Sequence, residues 1–231
     1  PIPTPAPIML RRLLTLITLF GLASSASAET LAPLKILFVG NSITLHGPKA
    51  DIDWHGNWGM AATSADKDYV HLVTKALGDR HGLPPAVMVK NVADFERTHA
   101  TYDVAGKFAD AAAFKADLII LCIGENVPGL KTEEATAKYQ ERVAALLKTL
   151  KSNPKAAIIV RSSFWANPAK DGAMRKACEA VGGTFVDISA LAKDEQNYAR
   201  SERPYKHAGV ANHPGDRGMA AIAEAIVKAV K

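Results

Sequence analysis

Cysteine is nearly absent from this chain: Cys122 and Cys178 are the only two in 231 residues. Two cysteines cannot build the multi-bridge scaffold of a small secreted domain, and neither sits in a CxxC or metal-ligand spacing. Cys122 falls inside an apolar strand pattern and Cys178 on a helix pattern after the next strand, so both read as buried free thiols. A one-sided charge is missing as well. The 28 Lys and Arg against 23 Asp and Glu leave +5, scattered and without a basic run interleaved with aromatics, so no nucleic-acid partner is expected. His46, His55, His71, His81, His99 and His207 match no zinc spacing, and neither a metal nor an organic cofactor is expected. Beyond the N-terminal region no apolar run approaches the roughly 20 residues that a membrane-crossing helix takes.

The N-terminal region holds the one long apolar run. Met9-Leu10-Arg11-Arg12 forms a basic start, Leu13 to Ala23 an apolar stretch, and Ala26-Ser27-Ala28 a small-x-small cleavage signature. Residues 1–28 are therefore expected to be a leader and signal peptide, with residues 1–8 lying ahead of a better start at Met9. Residues 29–231 suit a single domain. The expected location is secreted or periplasmic, without stable membrane insertion once the leader is removed.

From Lys35 onward, strand and helix patterns alternate. Strands are expected over Lys35–Val39, Ala86–Val92, Asp117–Ile123, Ala156–Arg161 and Thr184–Ile188. Helices are expected over Ser64–Asp79 with Ser64 as N-cap, Val104–Lys115, Thr132–Lys151, Ala169–Val181 and Pro214–Val230. Short, continuously apolar strands between helices indicate a parallel sheet covered on both faces, a three-layer α/β/α sandwich. One connection is unusually long. His46 to Thr63 carries Trp54 and Trp58 among Gly, Asn and Asp, and long loops of this kind tend to be functional.

Three short motifs sit at the ends of these elements. Gly40-Asn41-Ser42-Ile43-Thr44 follows the first strand, Ile123-Gly124-Glu125-Asn126 the third, and Asn212-His213-Pro214 opens the last helix. In this order they resemble the first, third and fifth blocks of the SGNH (GDSL-type) hydrolases, with Gly-Asn-Ser where Gly-Asp-Ser is usual. The resemblance spans nearly all of residues 29–231. It implies a flavodoxin-like sheet of strand order 2-1-3-4-5, with Ser42 as nucleophile, His213 as base and the Asn126 amide as oxyanion donor. A serine hydroxyl needs an adjacent base, and a neutral imidazole supplies one at neutral pH. Asn41 and Glu125 are possible accessory residues.

Two departures from the family pattern stand out. The second block lacks its glycine, so a backbone N–H within Ala93–Glu96 is the expected substitute donor. The acid that should stand three residues before the histidine is replaced by Val210. Either a backbone carbonyl near Val210 then accepts from His213, giving a Ser–His dyad, or a remote carboxylate such as Glu125 serves; the dyad is preferred.

Trp54, Trp58 and Trp165 are candidates for a substrate-stacking wall. The resemblance and the leader together imply a secreted esterase that removes acetyl or other short acyl groups from small-molecule or oligosaccharide esters. A lipid or lysophospholipid esterase, or a non-catalytic carbohydrate-binding relative, is the alternative.

Overall fold

The structure, a computed structural model, describes residues 1–4 and 32–231. The expected leader and its cleavage site lie outside the described residues. Among the described residues no helix is long and apolar enough to cross a membrane.

Five strands form one sheet: β1 (Lys35–Gly40), β2 (Ala86–Asn91), β3 (Leu118–Cys122), β4 (Ala157–Arg161) and β5 (Thr184–Val186). All neighbours pair in parallel, in the order β2-β1-β3-β4-β5. The helices are α1 (Tyr69–His81), α2 (Ala93–Thr98), α3 (Val104–Lys107), α4 (Ala109–Phe114), α5 (Glu133–Leu150), α6 (Pro168–Ala180), α7 (Ala208–Ala211) and α8 (Asp216–Ala229).

Side chains alternate across the sheet, so each strand supplies two cores. Leu37, Val39, Ile119, Leu121, Ile158 and Val160 pack with α5 and α6 on one face. Ile36, Phe38, Leu118, Ile120 and Ile159 pack with α1 and α8 on the other. This is the three-layer sandwich expected from the sequence. Cys122 and Cys178 belong to opposite faces and are both free and buried.

Several boundaries differ from expectation for local reasons. Helix α1 starts at Tyr69, because Asp68 rather than Ser64 supplies the capping carboxylate, accepting from the His71 N–H at 2.8 Å. The expected helix over 104–115 breaks at Phe108, whose φ of −113° turns its ring into the core. Helix α8 starts at Asp216, so Pro214 is not its first residue.

The long loop is a built structure. Antiparallel bridges join His46 to Trp58 and Lys49 to Trp54. The Trp54 indole donates to the His46 carbonyl at 2.9 Å, and the Trp58 indole to the Ala62 carbonyl at 3.0 Å. Trp54, Met60, Ala61, Ala199 and Val210 form a third small core beneath it.

Candidate active site

The register sets the site. Gly40 pairs with Asn91 on one side and with Cys122 on the other, so the segments following β1, β2 and β3 leave the sheet at one edge. Ligands of open α/β sheets bind outside this carboxyl edge. Gly40 is required for the close approach there: a Cβ on it would lie 2.8 Å from the Cys122 carbonyl oxygen. Gly124 has φ +120°, a backbone region that strongly favours glycine, and it lets the chain turn sharply after β3.

Ser42 is held in a tight turn. The Asn41 carbonyl accepts from the N–H groups of Thr44 and Leu45 at 2.9 and 3.0 Å. The Asn41 side-chain oxygen accepts from the Ile43 N–H at 3.2 Å. The Ser42 N–H itself has no partner among the described residues.

His213 follows the short helix α7. Its Nε2 lies 2.8 Å from Ser42 Oγ, and its Nδ1 lies 2.7 Å from the Gly209 carbonyl oxygen. A carbonyl can only accept, so the Nδ1 proton is donated to it, and Nε2 is left with a lone pair facing the serine hydroxyl. Burial holds the His213 pKa below its ordinary 6.5, against the upward pull of the Gly209 hydrogen bond and of the Glu125 charge. Val210 points into the small core under the long loop, and the carbonyl one residue earlier takes the position of the missing acid.

Glu125 does not serve His213. One of its oxygens accepts from the Arg161 guanidinium at 2.6 Å and from the Phe164 N–H at 2.8 Å. The other accepts from Asn41 Nδ2 at 2.6 Å. Burial raises the Glu125 pKa, but the Arg161 charge and these donors outweigh it and keep the carboxyl ionised below its ordinary range.

Asn126 lines the same pocket as Ser42 and His213. It donates through Nδ2 to Glu96 at 2.8 Å, which leaves one amide hydrogen available. Glu96, which the sequence reading did not single out, also accepts from the Gly124 N–H at 2.6 Å and from Asn41 Nδ2 at 3.2 Å. Burial, with the nearby Glu125 charge, pushes the Glu96 pKa up. Arg161 was missed as well, because a charged residue closing a buried strand looks like an ordinary strand end. Of the expected second-block donors, the Ala93 N–H is taken by the Asn91 side chain at 3.0 Å and the Glu96 N–H by the Val92 carbonyl at 3.2 Å.

The pocket over Ser42 has a volume of about 340 Å³ and also includes His46, Asn91, Arg97 and His207. The three tryptophans do not line it. Trp165 packs its ring at 90° against the His213 imidazole, with centroids 5.6 Å apart. Trp54 is only 5 % exposed, and with Trp58 it lines a second hollow of about 580 Å³, together with Tyr205 and Arg203. Ile52 is shared by the two hollows.

A comparison with curated proteins finds no match. Solved structures of the same fold do match. A protein described as a GDSL-like lipase from Parabacteroides merdae aligns at TM-score 0.55 and 20% identity, over 87% of this chain and 97% of its own. A family two carbohydrate esterase from Cellvibrio japonicus aligns at TM-score 0.55 and 20% identity, over 87% of this chain but 61% of its own. A family 3 carbohydrate esterase from Talaromyces cellulolyticus aligns at TM-score 0.50 and 15% identity, over 84% of this chain and 95% of its own. The sequence itself matches the model of the GDSL-like lipase/acylhydrolase family over residues 38–221. With that match running from β1 into α8, the chain belongs to the GDSL-like lipase/acylhydrolase family and is a serine-type ester hydrolase.

Proposed function

We propose that this protein is an exported esterase that removes acetyl or other short acyl groups from carbohydrate, using a Ser42–His213 dyad. The observation that carries the reading is the pair of contacts made by one imidazole: 2.8 Å from Nε2 to Ser42 Oγ and 2.7 Å from Nδ1 to the Gly209 carbonyl. Ser42 Oγ attacks the ester carbonyl while His213 takes its proton. His213 then returns that proton to the leaving alcohol, and a water activated by the same imidazole hydrolyses the acyl-serine. The free Ser42 N–H and the remaining Asn126 amide hydrogen are the donors for the oxyanion; losing one such donor typically costs about 3–4 kcal/mol in the transition state.

The pocket size supports a short acyl group, and the aromatic hollow reached past Ile52 supports a sugar as the alcohol. Two of the proteins sharing this fold are carbohydrate esterases. Export rests on the basic, apolar and small-x-small pattern of the leader. The test is a substrate panel of acetylated oligosaccharides and p-nitrophenyl esters of increasing chain length. Ser42→Ala should abolish turnover on all of them, and the wild type should favour acetate over long acyl chains. Turnover that survives Ser42→Ala, or that rises with chain length, would refute the reading.

A further inference from the structure

Arg97 is the one formally charged side chain among the residues lining the Ser42 pocket, and no carboxylate lines it. It sits on α2, exposed, one residue after the buried Glu96. Its only hydrogen bond among the described residues is from Nη2 to the Asn126 side-chain oxygen, a neutral acceptor, at 3.4 Å. It forms no ion pair among the described residues.

Exposed arginines elsewhere are engaged: Arg80 donates to the Val230 carbonyl at 2.9 Å, and three others pair with acids. Arg175, Arg200 and Arg217 each hold a carboxylate, on Asp187, Glu195 and Asp194, at 3.3, 2.6 and 2.9 Å. The acids near Arg97 in sequence are engaged elsewhere. Asp94 accepts from the Tyr102 hydroxyl at 3.1 Å. Glu96 turns inward to Asn41, Gly124 and Asn126. A second donor shares the pocket with Arg97: His207 accepts the Gly209 N–H through Nδ1 at 3.1 Å, so its neutral ring carries the proton on Nε2.

A guanidinium left without a carboxylate, beside a nucleophile and with no acid on the pocket wall, is suited to receive an anion. We infer that Arg97 is a specificity-determining residue that binds an anionic group of the substrate, a carboxylate carried either by the sugar or by the acyl chain. The inference rests on the proposed esterase reading of Ser42 and adds the charge of its substrate.

The test compares matched pairs. One pair is an acetylated uronic acid glycoside against its neutral acetylated hexoside, which places the charge on the alcohol. The other is a p-nitrophenyl hemisuccinate against p-nitrophenyl butyrate, which places it on the acyl chain. Wild-type kcat/KM should favour the charged member of one pair, and the favoured pair identifies the source of the carboxylate. That ratio should drop about tenfold in Arg97→Gln, mainly through KM, recover in part in Arg97→Lys and invert in Arg97→Glu. Salt should erode the wild-type ratio, because a partly exposed charge contact is screened.

An unchanged ratio in Arg97→Gln and Arg97→Glu would overturn the inference. So would an equal fall of kcat on charged and neutral members, since Arg97 would then act only through Asn126. Ser42→Ala separates the two levels. If it spares turnover, the esterase assignment fails; if it abolishes turnover while the Arg97 ratio stays fixed, only the anion site fails.

Discussion

The proton on Nδ1 of His213 is donated to a carbonyl, where a carboxylate would be the stronger partner for a catalytic base. A carboxylate in that position orients the ring and also stabilises the imidazolium that forms during reaction. The Gly209 carbonyl does the first and only weakly the second. Burial adds to this by disfavouring the charged ring. The proposed base should therefore stay neutral to lower pH than an ordinary histidine. The acid limb of kcat/KM is expected to have its midpoint below 6.5, the ordinary value for the group. The stability linkage has the same sign: the depressed pKa contributes stability that is present above the unfolded value and lost as pH falls through the folded one. A pH–rate profile on p-nitrophenyl acetate checks this, and an acid midpoint at or above 6.5 would contradict it. The sequence made Ser42 and His213 legible because each stands in a short motif at the end of an element. The absence of an acid at Val210 pointed to a backbone carbonyl nearby as the acceptor, but not to Gly209 itself, because any residue supplies a carbonyl.

At the level of elements, the strands were the most legible parts, since β1 and β3 are continuous apolar runs buried on both faces. Helix starts were less so, because several polar residues compete to cap and only the tertiary partners decide. Asp68 shows this. Its carboxylate accepts from the His71 N–H and the His71 ring at 2.8 Å each, and from the Gly59 N–H at 2.9 Å. It thus starts α1 and ties down the long loop in one side chain, which Ser64 is not placed to do. Asp68→Ala should lower stability by about 1–2 kcal/mol through the lost cap, with a further loss from the Gly59 N–H left buried without a partner. Thermal or urea unfolding measures the total, and Asp68→Asn should recover part of it. A Ser64→Ala change should stay within about 0.5 kcal/mol of wild type, because the Ser64 hydroxyl makes no capping bond and donates only to the exposed Asp66 carboxylate. The tryptophans belong to this level too: the loop folds back on itself through two bridges, which buries most of Trp54 and sets it with Trp58 on the hollow that meets the Ser42 pocket at Ile52.

Across the whole molecule, the carboxyl edge of the sheet is held by charges that no single motif reveals. Asn41 after β1, Glu96 on α2, Glu125 after β3 and Arg161 at the end of β4 form one buried hydrogen-bonded chain. It links four segments far apart in sequence, which is why local pattern did not expose it. Arg161 and Glu125 are 0 % and 3 % exposed at their side chains, so each ion depends on the other for its place out of water. Removing one partner of such a pair typically costs about 3–5 kcal/mol, because the remaining charge is left uncompensated. Arg161→Met should therefore lower Tm at pH 7 by roughly 10 °C for a domain of this size. Arg161 Nε and Nη2 have no hydrogen-bond partner among the described residues, so a methionine there forfeits little besides the charge, the bond to Glu125 and that to the Ser162 carbonyl. In the wild type the depressed Glu125 pKa contributes stability above the ordinary value of 4.5 and loses it as pH falls through the folded value. Without Arg161, the Phe164 and Asn41 hydrogen bonds remain, but burial is the largest influence on Glu125 and pushes its pKa up, so the sign reverses and the variant should gain relative stability as pH drops toward 5. The gap in Tm between wild type and Arg161→Met is then expected to narrow between pH 7 and pH 5, and the double variant Arg161→Met with Glu125→Leu should recover much of it at pH 7. A gap that stays constant with pH, or a double variant no better than the single one, would show that Arg161 acts by packing and not by its charge.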